Sequence, residues 1–265
     1  MENILRHIND NHERDEENMT EYKNYIFDLY GTLVDIHTNE GKISLWKNMA
    51  SIFSMMGASY SAGELKKQYK KLAGEELTDT LPRVQAKVSR NEISREEIEI
   101  LLENVFRKLF SNKGIEVDDG QIRQIGIIFR SLSMGYIKLY DGAYELLIRL
   151  RKSGKKIYLL SNAQRMFTEP EMKMLGIYDC FDGILYSSDA GIKKPSYYFY
   201  DLLFQTYALK KEESVMIGNE YQADISGAEN YGIDSMYIFT EQSGKAPSTL
   251  PENCHQIKDI SEVYY

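Results

Sequence analysis

Four short polar clusters follow four apolar runs in this 265-residue chain. They are Asp28-Leu29-Tyr30-Gly31-Thr32, Ser161-Asn162, Lys194-Pro195, and Gly218-Asn219 with Asp224 five residues beyond the asparagine. The third is reached through a longer loop, 187–193. In an open parallel sheet the carboxyl ends of the strands face one crevice, and ligands bind there. On that geometry two aspartates, a lysine, a threonine and a serine converge from positions far apart in the chain. Carboxylates can attack or hold a hard cation, an ammonium neutralises an anion, and hydroxyls donate to anionic oxygens.

Each cluster needs an element in front of it. Tyr25-Ile26-Phe27, Lys156 to Leu160, Gly183 to Tyr186, Ser214 to Ile217 and Met236 to Phe239 are compact apolar runs bounded by turn residues, and they read as buried strands. Helical periods lie between them. Asp141 is expected to cap a helix through Leu150, ended by Gly154, and Thr168 with Glu171 to open a short helix that takes Pro170 in its first turn. Ser196 to Tyr207 and Asp224 to Tyr231 read as two more. Strands alternating with helices at this pitch predict an α/β, doubly wound parallel sheet. Residues 41–135 differ, because their apolar residues recur only at three- and four-residue spacing. Leu45, Met49, Ile52, Phe53 and Met56 form one such stripe, and Ile122, Ile125, Phe129 and Leu132 another. Between them Ser94 and Glu97 offer a capping box to a helix carrying Ile98, Leu101, Leu102, Val105, Phe106 and Leu109. So long a connection without structure is implausible, which predicts an inserted all-helical domain. The expected organisation is an acidic N-terminal tail (1–20), a core of 21–40 and 136–265, and a helical cap of 41–135.

FDLYGTLVD, LLSNA, GIKKPS and IGNEYQADISGA resemble, in order and spacing, the four motifs of the haloacid dehalogenase-like hydrolases. The likeness runs from about Tyr22 to Phe239 and includes a helical cap inserted after the first motif. It implies a hydrolase with Asp28 as nucleophile, forming an ester intermediate that water hydrolyses. It implies that Asp28, Lys194 and Tyr30 stand at the catalytic positions and that Thr32, Ser161 and Asn162 bind substrate. Asp28, the Tyr30 carbonyl, Asn219 and Asp224 would hold Mg²⁺.

Two positions depart from the family's phosphatases. Tyr30 stands where they carry a second aspartate as general acid and base, and a phenol is a poor base at neutral pH. Asn219 replaces the usual first aspartate of the fourth motif, which removes a charge from the cation site. The Asp-x-Tyr-Gly-Thr form is that of the metal-free 2-haloacid dehalogenases, which carry an arginine early in the cap. This chain has no arginine between Asp28 and Arg83, and Tyr221 stands where that branch has an asparagine. The favoured expectation is a Mg²⁺-dependent phosphatase acting on a small phosphomonoester. The alternatives are a metal-independent 2-haloacid dehalogenase and a non-catalytic member that binds a phosphorylated ligand or a protein.

Composition limits the remaining classes. With 43% hydrophobic and 12% aromatic residues, the chain has a folding composition. No run reaches the eighteen or so apolar residues of a membrane helix, and the polar, acidic N-terminus is unlike a targeting peptide. Two cysteines make neither a disulfide framework nor a zinc quartet. A net charge of −8 argues against nucleic acid as partner. The expected setting is cytoplasmic, the expected partner a small anionic, phosphorylated substrate, and oligomeric state stays open. The charge is uneven: residues 1–20 carry two basic and six acidic side chains, while 41–135 carry fifteen basic and twelve acidic. A basic balance is usually solvated surface, but above an anion site it could help gather substrate.

Overall fold

The computed structural model describes residues 22–88, 93–245 and 247–263; the expected acidic tail lies outside the described residues. Six strands form a parallel sheet: β1 (Asn24–Phe27), β4 (Lys156–Ser161), β5 (Gly183–Tyr186), β6 (Ser214–Gly218), β7 (Asp234–Ile238) and β8 (Cys254–Ile257), in the order β5-β4-β1-β6-β7-β8. From β1 the chain winds outward through β4 and β5, then returns to the other side of β1 at β6. The strand order therefore reverses between β1 and β6, where doubly wound sheets bind ligands.

Successive side chains of a strand point to opposite faces, and both faces are buried here. Tyr25, Phe27, Ile157, Leu159, Val215 and Ile217 enter one apolar cluster; Ile26, Tyr158, Leu160 and Met216 enter another. The first is covered by α5 (Ala143–Lys152) through Ala143, Leu146, Leu147 and Leu150. The second is covered by α8 (Tyr197–Tyr207) through Phe199, Tyr200, Leu203 and Phe204.

Between β1 and β4 the chain makes α1 (Ile43–Met55), α2 (Ala62–Lys87), α3 (Leu102–Ser111) and α4 (Asp119–Ser133). Their apolar stripes meet in a separate cluster in which Phe53 stacks on Phe110 with centroids 4.3 Å apart. Met166 and Phe167, from the core helix α6 (Arg165–Met174), enter the same cluster. A two-stranded antiparallel ladder of β2 (Val34–Thr38) and β3 (Met134–Leu139) closes the base of the insertion. The fold is thus a doubly wound α/β sheet carrying a helical insertion.

Several local expectations differ from what forms. The Ser94–Glu97 capping box is present, but it closes one 3-10 turn (Arg95–Glu97), and the helix starts at Leu102. The intervening residues are extended because Ile98 pairs antiparallel with Ile192 of the core. Gly142, at φ +81°, rather than Asp141, precedes α5. Helix α6 opens at Arg165, so Thr168 and Glu171 lie within it and are free to point elsewhere. Asp224 lies inside a six-residue π-helical segment, Tyr221–Ser226, that continues into α9 (Gly227–Tyr231). The edge strand β8 and the β2–β3 ladder were not among the strands expected.

Candidate active site

The turn after β1 sets the first motif. The Asp28 amide still donates to the Ile217 carbonyl at 2.9 Å, so the residue leaves the sheet while tied to β6. The Leu29 carbonyl accepts from the Leu33 and Val34 amides at 2.9 Å each, which folds Tyr30, Gly31 and Thr32 into a tight loop. Gly31 has φ +85°, and a Cβ there would fall 2.3 Å from Asn219 Nδ2. Only glycine lets the first motif approach the fourth this closely. Gly218 serves the same purpose at the end of β6, where a Cβ would lie 2.3 Å from the Asp224 carboxylate.

These loops bring the four motifs together. Lys194 Nζ donates to Asp28 Oδ1 and to Asp224 Oδ1, both at 2.7 Å, and its side chain is 1% exposed. Asp224 Oδ2 accepts from the Glu220 amide at 2.9 Å. Asn162 grips the lysine backbone: Oδ1 accepts from Lys194 N at 2.8 Å, and Nδ2 donates to the Lys194 carbonyl at 3.0 Å. Thr32 Oγ1 donates to Asn219 Oδ1 at 3.2 Å, while Asn219 Nδ2 faces the Thr240 and Ser243 hydroxyls at 3.4 Å. Among the described residues, Ser161 Oγ is buried without a hydrogen-bond partner. A cavity of about 260 Å³ opens onto this cluster, lined by Asp28, Tyr30, Ser161, Asn162, Lys194, Asn219, Glu220, Ala223, Asp224 and Gln242. Lys193, the neighbouring lysine, is not among them.

Burial governs the charges. It pushes the Asp224 carboxyl up to about 7 against the pull of Lys194, with the neighbouring Asp28 charge adding to the rise. Burial by itself lowers the Lys194 pKa, but the two carboxylates outweigh it and hold the ammonium above the ordinary lysine value.

The Tyr30 side chain leads elsewhere. Its hydroxyl donates to Glu171 Oε2 and lies 3.0 Å from Thr168 Oγ1, both on α6. Arg130 of α4 donates from Nε to Glu171 Oε1 at 2.6 Å, and its guanidinium sits over the Tyr30 ring at 5.6 Å. Burial first, and the Glu171 charge second, raise the Tyr30 hydroxyl well above the usual phenol value. Arg130 and Gln242 were not among the expected site residues, and Glu171 was expected only to help open a helix. Arg130 carried a faint signal, lying eight residues after Ile122 on the stripe that α4 buries, where a charge must find a partner.

A hard cation would find oxygen donors in the Asp28 carboxylate, the Asn219 amide and the Tyr30 carbonyl on the same turn. Mg²⁺ takes few protein ligands and retains waters, so this set suits it. Asp28 Oδ1 and Asp224 Oδ1 already accept from Lys194, Asp224 Oδ2 from the Glu220 amide and Asn219 Oδ1 from Thr32. Among the described residues, no three His, Cys, Asp or Glu side chains form a metal-holding group.

The family model for haloacid dehalogenase-like hydrolases matches residues 22–232. The chain belongs to that family. Among curated relatives of this hydrolase, the Bacillus subtilis HAD-hydrolase YfnB is 23% identical over 248 residues, covering 93% of this chain and 96% of its own. Pyrimidine 5'-nucleotidase PynA of Streptococcus pneumoniae is 30% identical over 173 residues, 65% of this chain and 67% of its own. The crystal structure of YfnB bound to magnesium aligns with a TM-score of 0.50 at 21% identity, over 91% of this chain and 96% of that one. The 2-haloacid dehalogenase of Pseudomonas syringae pv. Tomato DC3000 aligns at 0.53 and 18% identity, over 91% and 95%. The same haloacid dehalogenase-like fold therefore serves relatives named for both chemistries.

Proposed function

We propose that this hydrolase is a Mg²⁺-assisted phosphatase acting on a small phosphomonoester, with Asp28 as nucleophile. The observation that carries the reading is the buried Lys194 ammonium bound to Asp28 beside the unpartnered Ser161 hydroxyl, on the wall of a small polar cavity. A buried donor without a partner is costly, and a phosphoryl oxygen would satisfy it. The donor set at Asp28, Asn219 and the Tyr30 carbonyl, and the magnesium described for the YfnB structure, support the cation. The pyrimidine 5'-nucleotidase PynA among the relatives supports the substrate class.

In this mechanism an Asp28 oxygen attacks phosphorus, the bond to the leaving oxygen breaks as that oxygen takes a proton from solvent water, and an aspartyl phosphate and the free alcohol form. Lys194 offsets the charge that builds between nucleophile and phosphoryl oxygens, and the Ser161 hydroxyl donates to one of them. Mg²⁺, when bound, would neutralise phosphoryl charge and orient the group. Asp224 is assigned to holding Lys194 rather than to the cation, Thr32 to holding Asn219, and Asn162 to the lysine backbone. Water then releases phosphate from Asp28. Tyr30, its proton directed at Glu171, is a poor base for that step, so turnover is slow.

Phosphate release from a panel of sugar phosphates and nucleotides, with Mg²⁺ and with EDTA, tests the proposal. Activity must require the cation and vanish in Asp28→Asn; activity that survives EDTA overturns it. A second reading, a metal-independent 2-haloacid dehalogenase, is favoured by Tyr30 alone, since a halide departs without a proton. Halide release from 2-chloropropionate in EDTA would transfer the function to that chemistry.

A further inference from the structure

The loop that carries Lys194 is held by the helical insertion. Residues 97–102 lie along residues 187–193 of the core. The Lys193 amide donates to the Glu97 carbonyl at 2.8 Å and the Glu99 amide to the Gly191 carbonyl at 3.1 Å, on either side of the Ile98–Ile192 bridge. The Glu99 side chain then reaches two motif loops at once. Its Oε2 accepts from Ser187 Oγ at 3.1 Å, and its Oε1 from Gln164 Nε2 at 3.1 Å. Ser187 Oγ in turn accepts from the Ala163 amide at 2.9 Å. Gln164 also donates to the Ile100 carbonyl at 2.8 Å and accepts from the Leu102 amide at 3.1 Å. Asn162, two residues before Gln164, grips the Lys194 backbone from the other side.

We infer that Glu99 is a positioning residue for Lys194, an inference that rests on the phosphatase role given to that lysine. One carboxylate from outside the four motifs joins the loop after β4 to α7 (Ser187–Ala190), the short helix that leads into the Lys194 loop, and so fixes the ammonium relative to Asp28. Hydrogen bonds to a charged acceptor are the stronger kind, and here one group accepts from both loops. A misplacement of about 1 Å at a reacting centre can cost on the order of 100-fold in rate, so the clamp need only prevent a small drift.

The test pairs turnover with hydrogen exchange on the full chain. Glu99→Ala should lower kcat by about 10- to 100-fold while KM stays within about twofold. Vanadate, which mimics the transferring phosphoryl group, should lose more affinity than inorganic phosphate. The Lys193 and Lys194 amides should exchange at least about tenfold faster, while those of the β2–β3 ladder keep their protection. Glu99→Gln, which still offers one amide oxygen to Ser187, should fall between wild type and Ala. Faster exchange with unchanged kcat, or unchanged exchange, overturns the positioning role. Exchange is read without turnover. A wild type with no Mg²⁺-dependent phosphatase activity therefore overturns the phosphatase reading by itself, and the exchange result still decides whether Glu99 holds the loop.

Discussion

Replacing Lys194 by methionine removes the cation that bridges two buried carboxylates, and the consequence depends on pH. Lys194, Asp28 and Asp224 are respectively 2%, 7% and 0% exposed. Taking one partner from a buried ion pair typically costs about 3–5 kcal/mol, because the remaining charge is uncompensated. For a chain of this length each kcal/mol shifts Tm by about 2–4 °C, so the variant should melt about 6–20 °C lower at pH 8. At pH 5 the loss should be smaller. Burial raises the Asp224 carboxyl from 3.8 to about 7, so the folded state holds this proton through a window in which the unfolded chain has released it. The stability this group contributes is complete below about pH 4 and is lost as pH rises through 7. Without Lys194 the carboxyl is held still higher and stays neutral at pH 5. Lys194→Met combined with Asp224→Asn should recover most of the stability at pH 8 and none of the activity. Thermal melts at pH 5 and 8, with phosphate release on the same samples, decide the matter. If the single variant melts with the wild type at pH 8, or the double variant melts no higher than the single, the buried-pair reasoning is wrong.

Other predictions concern neighbouring groups. Asn219→Asp restores a charge to the donor set and should lower the Mg²⁺ concentration for half-maximal activity by roughly tenfold; an unchanged titration would remove Asn219 from the cation site. Tyr30→Phe should cost about 1.5–3 kcal/mol in urea unfolding, the value of a hydrogen bond to a charged group. It should change kcat by less than about threefold, whereas a fall of 100-fold or more would make the hydroxyl a proton carrier in the reaction. Arg130→Met removes the cation from the buried Glu171 carboxylate, which keeps the Tyr30 hydroxyl as a donor. It should destabilise by about 3–5 kcal/mol, read as a lower urea midpoint at unchanged slope.

The sheet and the motif clusters were legible because both are written in short stretches of sequence. An apolar run such as Tyr25-Ile26-Phe27 ending in Asp28 and Gly31 specifies a buried strand and a tight turn with little help from elsewhere. Elements that depend on distant partners were harder to see. The capping box at Ser94 and Glu97 is a sound local signal, but the helix it announces yields to pairing between Ile98 and Ile192, 94 positions apart. Thr168 and Glu171 have helix-opening spacing, yet both turn toward Tyr30, since a buried phenol needs a partner more than an N-terminus needs that cap. Glu99, Gln164 and Ser187 belong to no common pattern, because their relation exists only once the insertion has docked on the core.

Charge shows most clearly how a segment's composition can mislead about its surroundings. The excess of basic residues between 41 and 135 suggested a positive surface above the site. Several of its cations are instead tied to carboxylates within the insertion or on the core, although pairs within the insertion leave the excess itself unchanged. Lys71 pairs with Glu75, Arg107 with Asp119, Lys108 with Glu76 and Asp79, Lys113 with Glu64, and Arg130 with Glu171. Among the described residues, none lining the cavity belongs to the insertion; Gln242, from the loop after β7, lines it from outside the four motifs. Such paired surface charges act weakly beyond a Debye length of about 8 Å at physiological salt. The positive charge presented to an anionic substrate is therefore concentrated in Lys194, and the insertion acts on the reaction mainly through what it holds in place.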